Sequence, residues 1–145
     1  MEKVKRVALD TMVFIYHEEA HPEWGPLARD LFVRGEEHAL ELVASTLVVT
    51  EVLTGYRKKQ NQDAERTFLG FLKLLRGALQ FVPVTLEVAD RAASLRAAYG
   101  ISTPDAVHIA TALVAGADCY LTNDRKLKRV KEISVVLMRE LPTLF

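Results

Sequence analysis

The sequence predicts an α/β fold, in which a parallel β-sheet is covered by helices on both faces. Short apolar segments alternate with longer segments of helical character, and the apolar segments end in polar residues. Continuous apolar runs are typical of strands that are buried on both faces of a parallel sheet. The helices that connect such strands form right-handed crossovers, which cover the two faces.

The elements follow one another in a regular order. Strands are predicted at 5–10, 41–45, 80–84, 118–123 and 134–138. Pro83 indicates that the third strand lies at a sheet edge or begins irregularly, because proline cannot donate a ladder hydrogen bond. Helices are predicted at 11–18, 25–37, 46–59, 62–77, 85–99, 104–115 and 125–131. Gly100 and Gly116 are expected to end two of them, and Thr103 is the expected N-cap of 104–115, with Pro104 at its first position.

The composition indicates one globular domain over residues 1–145. Hydrophobic residues make up 50%, and the 19 basic and 19 acidic residues cancel, so any contact with nucleic acid has to come from local patches. The single Cys119 cannot form an internal disulfide or a zinc cage, which favours a reducing compartment. We expect neither a signal peptide nor a membrane span, because no apolar stretch is long enough, and therefore a cytoplasmic protein.

Four acidic residues are candidates for one common site. Asp10 ends the first strand and Asp124 follows the fourth, so both are expected at the same edge of the sheet, where such folds bind ligands. Asp105 lies in the first turn of a helix, and Glu51 lies among Leu, Val and Thr on another helix. Taken singly, Asp10 could cap a helix and Asp105 could be ordinary first-turn charge. Asp124 could be a turn residue. Glu51 could face solvent, whereas a buried Glu51 would need a partner or would have a raised pKa.

Taken together, four carboxylates in a small volume repel one another unless protons or a cation neutralise them. An all-oxygen set without a cluster of His or Cys suits Mg²⁺ or Mn²⁺ rather than zinc. Such an ion polarises a phosphoryl oxygen and lowers the pKa of a bound water. The pattern therefore predicts metal-assisted hydrolysis of a phosphodiester.

Four segments, VALDTMVFIY, STLVVTEVL, TPDAVHIATAL and YLTND, resemble in this order the signature segments of the PIN domain family. The resemblance covers essentially the whole chain and is closest to the VapC-type toxin ribonucleases of type II toxin–antitoxin modules. It implies a three-layer α/β/α sandwich with a central parallel sheet and a Mg²⁺- or Mn²⁺-dependent endoribonuclease that cuts RNA. It also implies a homodimer and an antitoxin protein as partner.

The resemblance assigns residues to the site as well. Those that match the acidic quartet, which binds the metal and carries catalysis, are Asp10, Glu51, Asp105 and Asp124. Thr122 matches the hydroxyl residue beside the last acid, where it could hold a carboxylate or water, and Asn123 is a common companion there.

The chain departs from the family pattern at two positions. Met12 stands where the family often has Asn or Ser, and Leu127 stands where an aromatic residue is frequent but could fill the same apolar space. Next to Leu127, the basic residues Arg125, Lys126 and Lys128 could contact RNA phosphates. They could equally form a solvated helix face.

Two further residues have open roles. His108 shares a helix face with Asp105 and could donate to the site, but a structural bond from His108 to the backbone is the expectation. Trp24 could anchor an interface or pack over the first helices.

Two alternative functions remain open at this point. A phosphatase with Asp10 as its nucleophile usually has a second acid two residues later, where this chain has Met12. A non-catalytic module that binds RNA or protein would keep the same fold without converging acids.

Overall fold

In the computed structural model, which describes residues 3–145, five strands form one sheet. They are β1 (Arg6–Leu9), β2 (Glu41–Ser45), β3 (Leu79–Val82), β4 (Cys119–Thr122) and β5 (Ser134–Leu137). Their order across the sheet is β3–β2–β1–β4–β5, and each neighbouring pair is parallel. The strand that Pro83 follows is thus an edge strand, as predicted. Met1 and Glu2, at the start of the predicted domain, lie outside the described residues.

Helices connect these strands. They are α1 (Thr11–Glu18), α2 (Gly25–Glu36), α3 (Leu47–Lys58), α4 (Gln62–Leu74), α5 (Leu86–Tyr99) and α6 (Thr103–Val114), followed by 3₁₀ helices at Arg125–Arg129 and Met138–Leu144. Each predicted helix is present, and the predicted bounds differ from these by three residues at most. Of the helices in residues 3–145, none is long and apolar enough to cross a membrane.

The helices form two layers, one on each face of the sheet. Because side chains alternate along a strand, Val7 and Leu9 of β1 face one layer while Ala8 faces the other. The first layer packs residues of α1 to α4, such as Phe14 and Phe32, against the sheet. The second layer consists mainly of α5 and α6. The predicted three-layer α/β/α sandwich with a central parallel sheet is therefore confirmed.

The start of α6 differs from the prediction by one residue. Ser102, rather than Thr103, is the N-cap, and its hydroxyl accepts a hydrogen bond from the backbone N–H of Asp105 at 3.3 Å. Ser102 has an extended backbone while Thr103 is already helical, which places Pro104 in the second position of the helix. At the end of α5, Gly100 takes a left-handed conformation with φ of 65°, as a helix-ending glycine does.

The region predicted as a helix at 125–131 is a short 3₁₀ helix that ends at Arg129. Val130, with φ of −70° and ψ of 122°, is extended, so the chain leaves the helix early and enters β5. Leu127 in this turn is 1% exposed and fills an apolar space in the second layer, as expected.

Candidate active site at the carboxyl edge of the sheet

The site is built around the ends of the two central strands. Leu9 of β1 pairs with Leu121 of β4, so the residues that follow them, Asp10 and Thr122, reach the same edge. The backbone N–H of Asp10 donates to the carbonyl of Leu121 at 3.0 Å, which continues the ladder by one bond. The winding of the chain changes direction between β1 and β4, and this is where α/β sheets of this type bind ligands.

Asp10 is a buried carboxylate that is held at both oxygens. It is 9% exposed, its Oδ1 accepts the backbone N–H of Thr11 at 2.6 Å, and its Oδ2 accepts the hydroxyl of Thr122 at 2.6 Å. Asp10 therefore caps α1, as the helix-cap alternative expected, and it also points into the edge of the sheet. The Thr122 hydroxyl thus holds the carboxylate of Asp10 rather than the carboxylate of the neighbouring Asp124.

The electrostatics of Asp10 reflect this burial. Burial raises the pKa of its carboxyl above the ordinary value, and the hydrogen bond from Thr122 offsets part of the rise. The charge of Asp105 raises this pKa further, so the two acids lie close enough to interact. A cation bound nearby would favour the charged form of this buried carboxylate and reduce its repulsion with the second acid.

Glu51 extends from α3 towards the same edge. Its Oε1 accepts the hydroxyl of Thr11 at 2.7 Å and is 2.5 Å from Nε2 of His108. The hydrogen bond with His108 is the largest cause that lowers the pKa of Glu51, against a rise from burial. Glu51 therefore has partners and does not simply face solvent, and its pKa is lowered rather than raised.

His108 behaves differently from the expectation. It is 3% exposed, and its Nε2 contacts the side chains of Glu51 and Thr11 rather than a backbone carbonyl. The prediction of a backbone bond was wrong because Glu51, 57 positions earlier in the chain, is brought next to α6 by the fold. Among residues 3–145, its Nδ1 has no hydrogen-bond partner.

Asp105 lies in the first turn of α6 and is half-buried. The hydroxyl of Ser102 donates to its Oδ2 at 2.9 Å. Burial raises the pKa of Tyr120 well above its ordinary value, and the charges of Asp10, Asp105 and Glu51 raise it further. Asp105 lies one turn before His108 on α6, and Thr11 and His108 contact Glu51 beside Asp10, so three of the four predicted acids lie around this edge.

Asp124 is at the same edge but its side chain points elsewhere. Its backbone N–H donates to the Thr122 hydroxyl at 3.1 Å, which fixes its main chain beside Asp10. Its carboxylate is exposed and accepts the backbone N–H of Lys126 at 3.0 Å, so that it caps the 3₁₀ helix. This geometry is that of the turn-residue alternative, and the carboxylate would have to rotate to join the other three.

The remaining predicted residues lie around this edge. The side-chain amide of Asn123 donates to the hydroxyl of Tyr16 at 3.2 Å. Arg125 and Lys126 are exposed, whereas Lys128 forms an ion pair with Glu140 at 2.6 Å.

Two other residues singled out in the sequence lie away from these contacts. Trp24 is half-buried and packs against the apolar core of the first layer, at the start of α2. Met12, where the family often has a polar residue, is 39% exposed.

Sequence reasoning missed two groups at the site. Thr11 connects Asp10 and Glu51, because its backbone N–H donates to Asp10 and its hydroxyl donates to Glu51. Its signal was a hydroxyl residue directly after Asp10 at a helix start. Tyr120 is 0% exposed on β4, and among the described residues its hydroxyl has no hydrogen-bond partner. A tyrosine within an apolar strand was the only signal for it.

The donor set fits a hard divalent cation in its chemistry. Asp10, Asp105 and Glu51 offer carboxylate oxygens, the ligands that such cations prefer, and burial raises the pKa of Asp10, which a bound cation would counteract. In this conformation, no group of three or more His, Cys, Asp or Glu in that range is arranged to hold a metal ion. The carboxylate oxygens are chemically suitable for such a cation, but in this conformation Asp124 and Glu51 each already bind protein partners.

Comparison with known proteins places the chain in a family. The model of the PIN domain matches residues 7–133, and the chain belongs to the PIN domain family. This confirms the resemblance that the four sequence segments indicated. No curated protein sequence matches the chain significantly.

Solved structures with the same fold come from toxin–antitoxin complexes and toxins. The chain is similar to a chain of the VapBC2 complex from Rickettsia felis bound to a DNA fragment from their promoter, with 18% identity and a TM-score of 0.72 over 91% of this chain and 98% of that one. It is also similar to FitAcB from Neisseria gonorrhoeae, with 23% identity and a TM-score of 0.66 over 92% and 98%. A third is VapC20 from Mycobacterium tuberculosis, a toxin that cleaves the sarcin–ricin loop, with 16% identity and a TM-score of 0.66 over 88% and 98%.

Proposed function

We propose that the protein is a metal-dependent endoribonuclease and the toxin of a type II toxin–antitoxin pair. The observation that carries the proposal is that Thr11 and His108 connect Glu51 to Asp10 at the carboxyl edge of the sheet, one turn from Asp105, in a member of the PIN domain family. Asp10 follows β1, Glu51 lies on α3 and Asp105 on α6, and nothing in their local sequences requires them to meet. Convergence of carboxylates at this edge is what metal-assisted phosphodiester hydrolysis needs.

The structural relatives support the toxin assignment. VapC20 is a toxin that cleaves the sarcin–ricin loop, and the similar chains from Rickettsia felis and Salmonella typhimurium come from VapBC complexes. By analogy we propose RNA as the substrate, an antitoxin protein as the partner, a homodimer as the assembly and the cytoplasm as the location. We propose further that residues 1–145 act as one nuclease domain.

The metal would be held by Asp10, Glu51, Asp105 and, after rotation of its side chain, Asp124. When bound, Mg²⁺ or Mn²⁺ would supply charge to the phosphoryl oxygens and lower the pKa of the attacking water. The chain supplies the orientation: Thr11 and Thr122 each donate to one oxygen of Asp10, which fixes the plane of its carboxylate. Arg125 and Lys126 lie directly after Asp124 and would bind phosphates on either side of the scissile bond.

The test is cleavage of a mixed pool of structured RNA by the pure protein with Mg²⁺, Mn²⁺ or EDTA. Asp105→Asn removes one ligand charge and keeps the acceptor for the Ser102 hydroxyl, so we expect a folded protein with at least 100-fold less cleavage, on the order of a lost metal-site group. Asp90→Asn, the same change at an exposed position on α5, is the matched control and should cleave like the wild type.

Metal-dependent cuts that disappear only in Asp105→Asn would support the nuclease. Absence of cleavage by the wild type under every condition would reject the proposal as stated. A folded protein that still binds the RNA without cutting it would favour the non-catalytic binding module.

A further inference from the structure

His108 is not one of the four acids, yet its contact with Glu51 is among the shortest side-chain contacts at the site. Nε2 of His108 lies 2.5 Å from Oε1 of Glu51 and 3.2 Å from Oγ1 of Thr11, and Thr11 donates to the same Oε1 at 2.7 Å. The three side chains therefore form a closed triangle. His108 and Thr11 are buried, whereas the side chain of Glu51 is 35% exposed.

The hydrogen-bonding capacity of each group fixes the direction of these bonds. An ionised carboxylate can only accept, so Nε2 of His108 carries a proton, and Thr11 uses its single hydroxyl proton towards Glu51. Oε1 thus receives two donors, which occupy both of its lone pairs. Among residues 3–145, Oε2 of Glu51 receives no hydrogen bond from any donor.

This arrangement makes the two oxygens of one carboxylate unequal. Oε1 is committed to the protein, and Oε2 is the oxygen left to face a ligand at the edge of the sheet. A glutamate side chain has several rotatable bonds and loses rotamer entropy when it is ordered. The two buried donors order it before any metal arrives.

We propose that His108 is a positioning residue that, together with Thr11, holds Glu51 by Oε1 and leaves Oε2 as the oxygen available to a metal. The proposal rests on the proposed function, because it takes Glu51 as a metal ligand. His108 itself does not bind the metal, since its Nε2 is used by Glu51 and its Nδ1 is buried.

The test uses two substitutions of His108 with opposite expectations. His108→Leu is of similar size and suits the apolar surroundings, but it removes the donor. His108→Gln keeps an amide N–H that reaches about as far from Cβ as Nε2 does. Thr111→Val is the control on the same helix, because the Thr111 hydroxyl is buried and donates only to the carbonyl of Val107 at 2.7 Å.

The first readout is the binding of Mn²⁺ to the metal-free proteins by titration calorimetry. We expect His108→Leu to bind Mn²⁺ 10- to 100-fold more weakly, the range typical for loss of a group that orients a metal ligand. His108→Gln and Thr111→Val should bind within about threefold of the wild type, which is less than 1 kcal/mol. Melting temperatures in EDTA show that the variants are folded.

The second readout is the crystal structure of each metal-free variant. In the wild type and in His108→Gln, Oε1 of Glu51 should stay within hydrogen-bond distance of Thr11, and in His108→Leu the side chain should turn away or lose order. An unchanged Glu51 in His108→Leu would overturn the proposal. Equal Mn²⁺ affinity of His108→Leu and wild type, or equal weakness of His108→Gln and His108→Leu, would overturn it too.

These two readouts separate the inference from the proposed function. A wild type that binds no Mn²⁺ would reject the metal-dependent nuclease, while the position of Glu51 in the metal-free crystals would still decide whether His108 holds it.

Discussion

Thr122→Val tests how the buried Asp10 is kept charged. The substitution replaces the hydroxyl of Thr122 with a methyl group of nearly the same size at a position that is 0% exposed. It removes the donor to Oδ2 of Asp10 at 2.6 Å and the acceptor of the Asp124 N–H at 3.1 Å. Since the shape is kept, no cavity forms and the change is electrostatic.

The expected loss follows from the bond that is broken. A hydrogen bond to a charged group contributes about 1.5–3 kcal/mol, and a buried carboxylate without its donor retains the full cost of its desolvation. The N–H of Asp124 is near solvent and adds little. We therefore expect the free energy of unfolding to fall by about 2–3 kcal/mol at pH 8, which lowers the melting temperature by roughly 5–10 °C for a chain of this size.

The loss should depend on pH in a stated direction. Burial raises the pKa of Asp10 in the folded protein, so its ionised form destabilises the fold above that pKa, and this penalty disappears as the pH falls through it. The Thr122 hydroxyl lowers this pKa, and without it the penalty at high pH grows. The difference between wild type and Thr122→Val should therefore shrink to about 1 kcal/mol, the contribution of a neutral hydrogen bond, where Asp10 is protonated.

The assay is urea unfolding of both proteins in EDTA at several pH values from 8 downwards. Thr122→Ser keeps the hydroxyl and controls for the side-chain change, and it should retain most of the stability at pH 8. Equal stability of Thr122→Val and wild type at pH 8, or a difference that does not change with pH, would refute the reasoning.

Two further predictions concern packing and reactivity. Gly35→Ala on α2 would place a Cβ 2.6 Å from Cδ1 of the buried Leu42, so we expect about 1–3 kcal/mol lower stability by urea unfolding. The matched Gly55→Ala on α3 meets nothing within 4 Å and should gain about 0.5–1 kcal/mol; the opposite order would contradict the packing of α2 on β2. Burial raises the pKa of the Cys119 thiol to about 12, so a thiol reagent at pH 8 should leave the native protein unmodified and label one thiol per chain after unfolding. Rapid labelling of the folded protein would show that β4 opens.

The fold was predictable because its signals are local. Each strand is a short apolar run and each helix has an apolar face, so the predicted bounds of β2 and α1 agree with the structure at both ends. The common edge of Asp10 and Asp124 also followed, because it depends only on which residues end parallel strands. The choice between Ser102 and Thr103 as N-cap did not, because both are hydroxyl residues and the backbone conformation decides between them.

The contacts within the site were less predictable because they join distant parts of the chain. His108 meets Glu51 only because α6 and α3 approach each other across the edge of the sheet, and no local pattern encodes that distance. The Asp124 carboxylate can turn either to the backbone N–H of Lys126 or towards the site, and sequence spacing does not decide between the two. The edge of the sheet where the acids lie could be predicted, whereas the orientations of their side chains could not.

The strand order determines when the candidate site can form during synthesis. β1 lies between β2 and β4 in the sheet. β1 therefore gains its second neighbouring strand only after β4 has been synthesised. Until β4 docks, Asp10 lacks the bond from Thr122, and Asp105 on the preceding helix has no finished sheet to rest on. A growing or truncated chain that ends before β4 therefore has no assembled site.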